Sequence, residues 1–109
     1  MERIDYIQLV KDILTQHSIN HSQNDTEIQL IFDDHNHHYQ VLNIGWDDQT
    51  RIYGVIIHVD LKDDKIWIQR DGTEVGIANQ LLDAGVAKEH IVLGFQAPYK
   101  REFTEFAIG

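Results

Sequence analysis

The spacing of apolar residues predicts a helix at the start of the chain and a strand after it. Between Ile4 and Leu14, apolar side chains recur every three or four residues, which is the period of a helix that packs one face on a sheet. Further on, Ile28, Leu30 and Phe32 alternate with polar residues, as they do in a half-buried strand. The polar stretch 20–25 between these segments predicts a loop.

Polar turns then divide the middle of the chain into further strands. The runs 33–36, 47–50 and 62–65 are rich in Asp, and they separate apolar segments that we expect to pair as successive antiparallel strands. The segment Ile52–Leu61 begins apolar on both faces, which is typical of a central strand. In the segment before it, we expect three apolar side chains to share one face: Leu42, Ile44 and Trp46.

A second helix is predicted after the fourth strand. Asp71 and Glu74 have the spacing of a capping box, which predicts that the helix begins at this point. An apolar stripe follows at 77–82, and Gly85 stands where a left-handed C-terminal cap is expected. The next apolar segment, Ile91–Phe95, predicts a buried strand that reaches a parallel position through a right-handed crossover.

These elements predict one domain over residues 1–109. The fold class is α+β: a mainly antiparallel sheet of about five strands with two helices packed on it. The tail after Pro98 is aromatic, so we expect it to dock on the body of the protein or on a partner. Its aromatic residues are Tyr99, Phe103 and Phe106.

The composition of the chain excludes several classes of function. The chain carries nine Lys and Arg against 18 Asp and Glu, a formal net charge of -9, which argues against binding nucleic acid unaided. It has no cysteine, so thiolate nucleophiles and cysteine-ligated zinc are excluded. Neither a signal peptide nor an apolar run of membrane-spanning length is present, and we therefore expect a cytoplasmic protein without membrane contact.

One candidate metal site lies near the first predicted turn. His35, His37 and His38 cluster beside Asp33 and Asp34, and alternate residues of a strand share a face. Zinc catalysis requires three converging ligands, and only His58 stands elsewhere as a further partner. An exposed, polar hairpin tip is therefore the favoured interpretation.

Two other charged groups have a possible chemical role and a simpler structural explanation. Asp60, Asp63 and Lys65 resemble the carboxylates and lysine of metal-dependent nucleases, but the last two lie on a predicted tight turn where charges are ordinary. The segment Asp71–Glu74 opens a helix whose N-terminus attracts anions, yet its own carboxylates would repel phosphate. The sequence thus predicts no catalytic residue, no metal and no cofactor.

Several sequence strings resemble the XisI family over nearly the whole chain. They include 39–47, 51–54, 57–60, and above all Lys65–Glu74, with the specific run Trp-Ile-Gln-Arg-Asp-Gly-Thr-Glu. The resemblance marks family-typical positions without assigning them a role: Trp46, Asp47, Arg51, Tyr53, Gly54, His58, Asp60, Trp67, Gln69, Asp71, Gly72, Thr73 and Glu74.

The resemblance implies a function in DNA rearrangement. XisI-like proteins are small cyanobacterial proteins named as fdxN element excision controlling factors, tied to programmed excision of a DNA element by a separate site-specific recombinase. They commonly accompany XisH, which is similar to restriction-endonuclease-like folds. No active site is established for the family, so no catalytic residue is implied.

Together with the acidic charge, the resemblance favours a non-enzymatic accessory factor that contacts the recombinase or an XisH-like partner. Two alternatives stay open: an inhibitor or antitoxin-like partner of an XisH-like nuclease, and a metal-dependent nuclease that uses Asp60, Asp63 and Lys65. We also expect a homo-oligomer, with a dimer favoured, because exposed strand edges invite pairing.

Overall fold

The structure, a computed structural model, describes residues 5–20 and 26–109. It contains five strands and three α-helices, the third a short one in the tail that the sequence did not predict. In chain order the elements are α1 (Tyr6–Asn20), β1 (Thr26–Asp33), β2 (His38–Asp47), β3 (Thr50–Lys62), β4 (Lys65–Asp71), α2 (Ile77–Asp83), β5 (Ile91–Leu93) and α3 (Pro98–Arg101). The predicted Ile4 and most of the predicted loop at 20–25 lie outside the described residues.

The five strands form one sheet in the order β1-β2-β3-β4-β5. The first four strands pair with one another antiparallel, and β5 runs parallel to β4. The predicted α+β class and the parallel crossover through α2 are therefore confirmed. No helix in the described part of the chain is long and apolar enough to cross a membrane.

The tight turn between β3 and β4 follows from its sequence. Asp63 and Asp64 have φ angles of 55° and 61°, the left-handed values that a two-residue hairpin loop requires at both central positions. Aspartate tolerates this conformation better than most residues do. Since this loop matches the twist of the strands, it sets the pairing of Lys62 with Lys65.

The core lies on one face of the sheet, under α1 and α2. Val10 and Leu14 of α1 are 2% and 0% exposed, which confirms the predicted apolar stripe. They pack with the inward side chains of β2, β3 and β4, all almost fully buried: Tyr39, Val41, Ile57, Val59, Ile66 and Ile68. Each aliphatic side chain buried in this way stabilises the fold by about 1.5–3 kcal/mol.

Two irregularities in the strand pairing set which side chains meet. Ile57 pairs with Val41 and Val55 with Leu42, so Ile56 has no residue opposite it. In the same way, His58 pairs with Arg70 and Val59 with Ile68, which leaves Gln69 as the extra residue of β4. Bulges of this kind increase the twist and re-aim side chains.

The start of α2 differs from the sequence prediction. The helix begins at Ile77, whereas Asp71 is still the last residue of β4. Asp71 and Glu74 therefore do not form the predicted capping box. Asp71 Oδ2 instead accepts a 2.7 Å hydrogen bond from the amide of Ile77, six residues further on. The carboxylate therefore caps the helix across a loop, which local spacing does not reveal.

The end of α2 and the tail follow the prediction more closely. Gly85 has a φ of 97°, and the amide of Val86 reaches back to the carbonyl of Leu81, as in a Schellman cap. In the tail, Phe106 packs against the core, and Ala107 forms a parallel bridge with Val92. The other two aromatic residues do not dock within the chain, since Tyr99 is 68% and Phe103 81% exposed.

Candidate functional site

The side of the sheet turned away from the core carries the functional candidates. We call this side the open face. On β2 and β3 it shows five cross-strand pairs, with polar side chains at one end and aromatic ones at the other: His38 with Asp60, Gln40 with His58, Leu42 with Val55, Ile44 with Tyr53, and Trp46 with Arg51. Leu42, Ile44 and Trp46 do share one face as predicted, and it is the open face, where Leu42 is 6% and Trp46 52% exposed.

Two histidines and one aspartate meet at the polar end of the open face. We call them the histidine–aspartate cluster (His38, His58 and Asp60). Nδ1 of His38 and Nε2 of His58 each donate a 2.8 Å hydrogen bond to the same oxygen, Oδ1 of Asp60. The two imidazole rings stand nearly perpendicular, 6.3 Å apart between centroids.

The surroundings of Asp60 keep it ionised. Burial raises the pKa of Asp60, but the hydrogen bonds from His38 and His58 outweigh burial and hold the pKa below its usual value. Gln69, the bulged residue of β4, donates a 3.3 Å hydrogen bond to the other oxygen, Oδ2. Nε2 of Gln40 lies 3.4 Å from Nδ1 of His58. Glutamine amides thus surround the cluster on two sides.

An aromatic patch lies at the other end of the same two strands. We define it as Ile44, Trp46, Arg51 and Tyr53. The exposed fractions of Trp46 and Tyr53 are 52% and 68%, high values for such large rings. The guanidinium carbon of Arg51 lies 5.1 Å from the centroid of the Trp46 ring, so a cation–π contact orients the indole.

The second tryptophan, Trp67, is covered by the tail and by neighbouring cations. The guanidinium of Arg101 lies 5.4 Å and the ammonium of Lys62 lies 5.0 Å from its ring. Arg101 also donates hydrogen bonds to the carbonyls of Gly94, Gln96 and Ile108, which ties the tail to β5. Trp67 is therefore a docking point for the chain's own C-terminus.

The segment Asp71–Glu74 has a structural role. Asp71 Oδ1 accepts hydrogen bonds from the amide and hydroxyl of Thr73 at 2.9 and 2.5 Å, while Oδ2 caps α2. Gly72 donates its amide to Ile56, and a Cβ there would stand 3.0 Å from the same carbonyl oxygen. Glu74 is exposed. The segment thus joins β4 to the helix and presents no free anion site.

The structure brings together a different group of side chains from the one in the sequence-based metal hypothesis. His35 lies in the turn before β2, and its amide donates to Asp33. His37 points toward the hydroxyl of Tyr39, 3.5 Å away. Among the described residues, the one group of His, Asp and Glu side chains close enough to share an ion is His38, His58 and Asp60.

The hypothesised nuclease set of Asp60, Asp63 and Lys65 is not assembled. Asp60 belongs to the histidine–aspartate cluster, and Asp63 occupies the exposed β3–β4 turn. The ammonium of Lys65 donates a hydrogen bond to the backbone carbonyl of Gly109. Lysine and carboxylates therefore do not converge on a place where magnesium and phosphate would meet.

The remaining family-typical positions lie around the aromatic patch. Asp47 ends β2 and is exposed beside it. Gly54 lies on β3, where a Cβ would meet nothing within 4 Å.

Fold and site together define the class: a small α+β protein whose single sheet packs α1 and α2 on one face and carries the histidine–aspartate cluster and the aromatic patch on the other. Comparison with known proteins then identifies its family. The model of the family described as XisI protein matches residues 1–108, and the chain belongs to the XisI family.

Two solved structures are close to this fold. An XisI-like protein from Anabaena variabilis is 46% identical, with a TM-score of 0.91 over 95% of this chain and 96% of that chain. The fdxN element excision controlling factor XisI from Anabaena variabilis is 34% identical, with a TM-score of 0.84 over the same shares. No curated protein matches the chain.

Proposed function

We propose that this protein is a non-enzymatic accessory factor that controls programmed excision of a DNA element by binding another protein. The partner is a site-specific recombinase or an XisH-like protein with a nuclease fold, and the complex acts in the cytoplasm. Membership in the XisI family supports this proposal, as does likeness to a protein named for control of excision.

The aromatic patch carries the proposal. Tryptophan, tyrosine and arginine are the residues that most often dominate the binding energy of protein interfaces. Here Trp46, Arg51 and Tyr53 stand side by side on paired strands, with rings more than half exposed. Because Arg51 already holds the Trp46 ring, binding costs little side-chain entropy at that position.

Charge supports a partner that itself binds DNA. The net charge of -9 repels phosphates, so the protein alone is poorly suited to hold a duplex. The same charge attracts the basic surface of a recombinase or nuclease and speeds their encounter. The exposed Asp47 and Asp48 place negative charge directly beside the aromatic patch.

The proposal is tested by co-purification with the recombinase and the XisH-like protein of the same genome, each expressed with this chain. Trp46→Ala and Tyr53→Ala should each weaken binding at least about tenfold, as truncation of an interface hot spot does. Tyr99→Ala is the matched control, since Tyr99 has the same exposed fraction of 68% but lies outside the patch. Titration calorimetry with the purified partner measures the change.

Two results would contradict the proposal. One is unchanged affinity of Trp46→Ala and Tyr53→Ala for a partner that the wild-type protein binds. The other is tight, sequence-specific binding of duplex DNA by the isolated protein at moderate salt.

A second candidate function, inhibition of an XisH-like nuclease, is favoured by the position of Asp47 and Asp48 beside the patch. Acidic side chains at an interface take the place of substrate phosphates. In this case DNA cleavage by the partner falls on addition of this protein, and Asp47→Asn with Asp48→Asn restores it. An accessory role leaves cleavage unchanged or raises it.

A further inference from the structure

We propose that the histidine–aspartate cluster binds a divalent transition-metal ion, and that its donor atoms favour Zn²⁺. The ligands are Nδ1 of His38, Nε2 of His58 and a carboxylate oxygen of Asp60. These three atoms all lie within 4.8 Å of one another. The proposal concerns the protein alone and does not depend on the proposed partner.

The distances suit a shared ion after a small adjustment. Two ligands held about 2.0–2.1 Å from a tetrahedral zinc ion lie about 3.3 Å apart. Each imidazole nitrogen now lies 2.8 Å from Oδ1 of Asp60, so each ring moves back by about 0.5 Å. His38 is free to do so, because its side chain is 53% exposed.

The backbone holds the ligands in place before any ion arrives. His38 and Asp60 are directly paired across β2 and β3, and His58 precedes Asp60 by two residues on the same face. A strand pair is a more rigid support than the loop that carries His35 and His37. The side chains of His58 and Asp60 are also largely packed, at 28% and 18% exposed.

The neighbouring glutamines supply the outer contacts that metal sites require. A ligating histidine usually donates its second ring nitrogen to a neighbouring acceptor, and a ligating carboxylate is itself hydrogen-bonded. Gln40 lies beside Nδ1 of His58, and rotation of its amide presents the carbonyl oxygen to that N–H. Gln69 already holds Oδ2 of Asp60.

The donor types select the ion. Two imidazoles with one carboxylate suit zinc and its neighbours in the first transition row, whereas Mg²⁺ and Ca²⁺ prefer oxygen ligands throughout. Three protein ligands leave a fourth tetrahedral position, which water fills from the open face. The net charge of -9 favours a cation at this surface.

The test is titration of the tag-free, chelator-treated protein with ZnCl₂, followed by calorimetry and by metal analysis after dialysis. We expect one equivalent to bind, with no comparable binding of Mg²⁺. His38→Gln, His58→Gln and Asp60→Asn should each weaken binding at least about tenfold, because even outer contacts are worth that much. Cobalt in place of zinc should give the visible absorption of a four-coordinate site.

Matched controls separate this site from casual binding by surface histidines. His35→Gln and His37→Gln change the same residue type nearby and should leave the affinity unchanged. Gln69→Ala should weaken it by about tenfold through loss of the outer contact alone. Circular dichroism checks that each variant folds. If the variants at the more buried His58 or Asp60 do not fold, the affinity of His38→Gln for zinc tests the proposal by itself.

Three outcomes would overturn the proposal. They are no binding of zinc at micromolar concentration, binding that the three cluster variants leave unchanged, and binding that His35→Gln or His37→Gln reduces as much as His38→Gln does.

Discussion

Replacing Tyr39 with phenylalanine removes a single hydroxyl from the core and leaves the ring in place. The Tyr39 side chain is 0% exposed, and its ring packs against Phe32 at 5.7 Å between centroids. Its hydroxyl donates a 3.0 Å hydrogen bond to Oδ1 of Asp34, whose other oxygen binds Lys11 at 2.6 Å. The same hydroxyl lies 3.5 Å from Nδ1 of His37, so the substitution tests mainly the shorter bond to Asp34.

The expected cost follows from the state of the acceptor. A hydrogen bond to a charged group contributes about 1.5–3 kcal/mol. The Asp34 side chain is 58% exposed and keeps its ion pair with Lys11, so water replaces the lost donor easily. We therefore expect a loss of about 1–1.5 kcal/mol in the free energy of unfolding, or about 5–10 °C in Tm for a domain of this size.

At alkaline pH, the wild-type protein should become less stable than Tyr39→Phe. Burial, followed by the hydrogen bond to Asp34 and its negative charge, raises the pKa of Tyr39 from 10.0 to about 12. Because the folded pKa is the higher one, the contribution of Tyr39 is complete below pH 10 and is lost as the pH rises toward 12. Two pKa units amount to about 2–3 kcal/mol, so Tyr39→Phe becomes the more stable protein near pH 11.

Urea unfolding followed by tryptophan fluorescence, at a series of pH values, measures both effects. Tyr53→Phe is the matched control, since Tyr53 is 68% exposed, and it should follow the wild-type protein at every pH. If Tyr39→Phe and Tyr53→Phe behave alike at neutral and alkaline pH, the hydroxyl of Tyr39 does not make the bond to Asp34.

Three further substitutions and one control, Glu74→Ala, test the packing and capping of α2, each by urea unfolding. Leu81→Ala should cost about 2–5 kcal/mol, because Leu81 is 0% exposed; a loss below 1 kcal/mol would place it outside the core. Asp71→Ala should cost at least about 1–2 kcal/mol, because it removes the helix cap together with the two hydrogen bonds from Thr73, whereas Glu74→Ala should cost less than about 0.5 kcal/mol; equal costs would favour the capping box after all. Gly85→Ala should cost about 1 kcal/mol at its φ of 97°, and an unchanged stability would contradict the Schellman cap.

Much of the fold could be predicted because it depends on near neighbours in sequence. The apolar stripe of α1 requires only the helical period, and the β3–β4 turn requires only residues that accept a left-handed backbone. Gly85 ended α2 as expected for the same reason. The start of α2 was predicted wrongly, since Asp71 caps it from six residues away, beyond the spacing of a local motif.

The candidate site could be predicted only in part. The sequence placed the three residues in two different hypotheses. His38 and His58 belonged to the metal site at the turn, and Asp60 belonged to the carboxylate–lysine group at 60–65. The polar character of these segments was plain from the sequence. The grouping was wrong because it gave priority to residues close along the chain: His58 entered only as a distant partner of the turn histidines, and Asp60 was joined to Asp63 and Lys65.

By itself, the sequence determined the class of fold, the order of its elements and the acidic charge, since periodicity, turn residues and composition are local properties. The expected dimer and the partner stay predictions. Only the tertiary structure decided that β2 and β3 pair His38 with Asp60, that Gln69 bulges toward that carboxylate, and that the tail covers Trp67 while Trp46 stays exposed. Strand register sets these contacts, and a shift of one residue would turn each side chain to the opposite face.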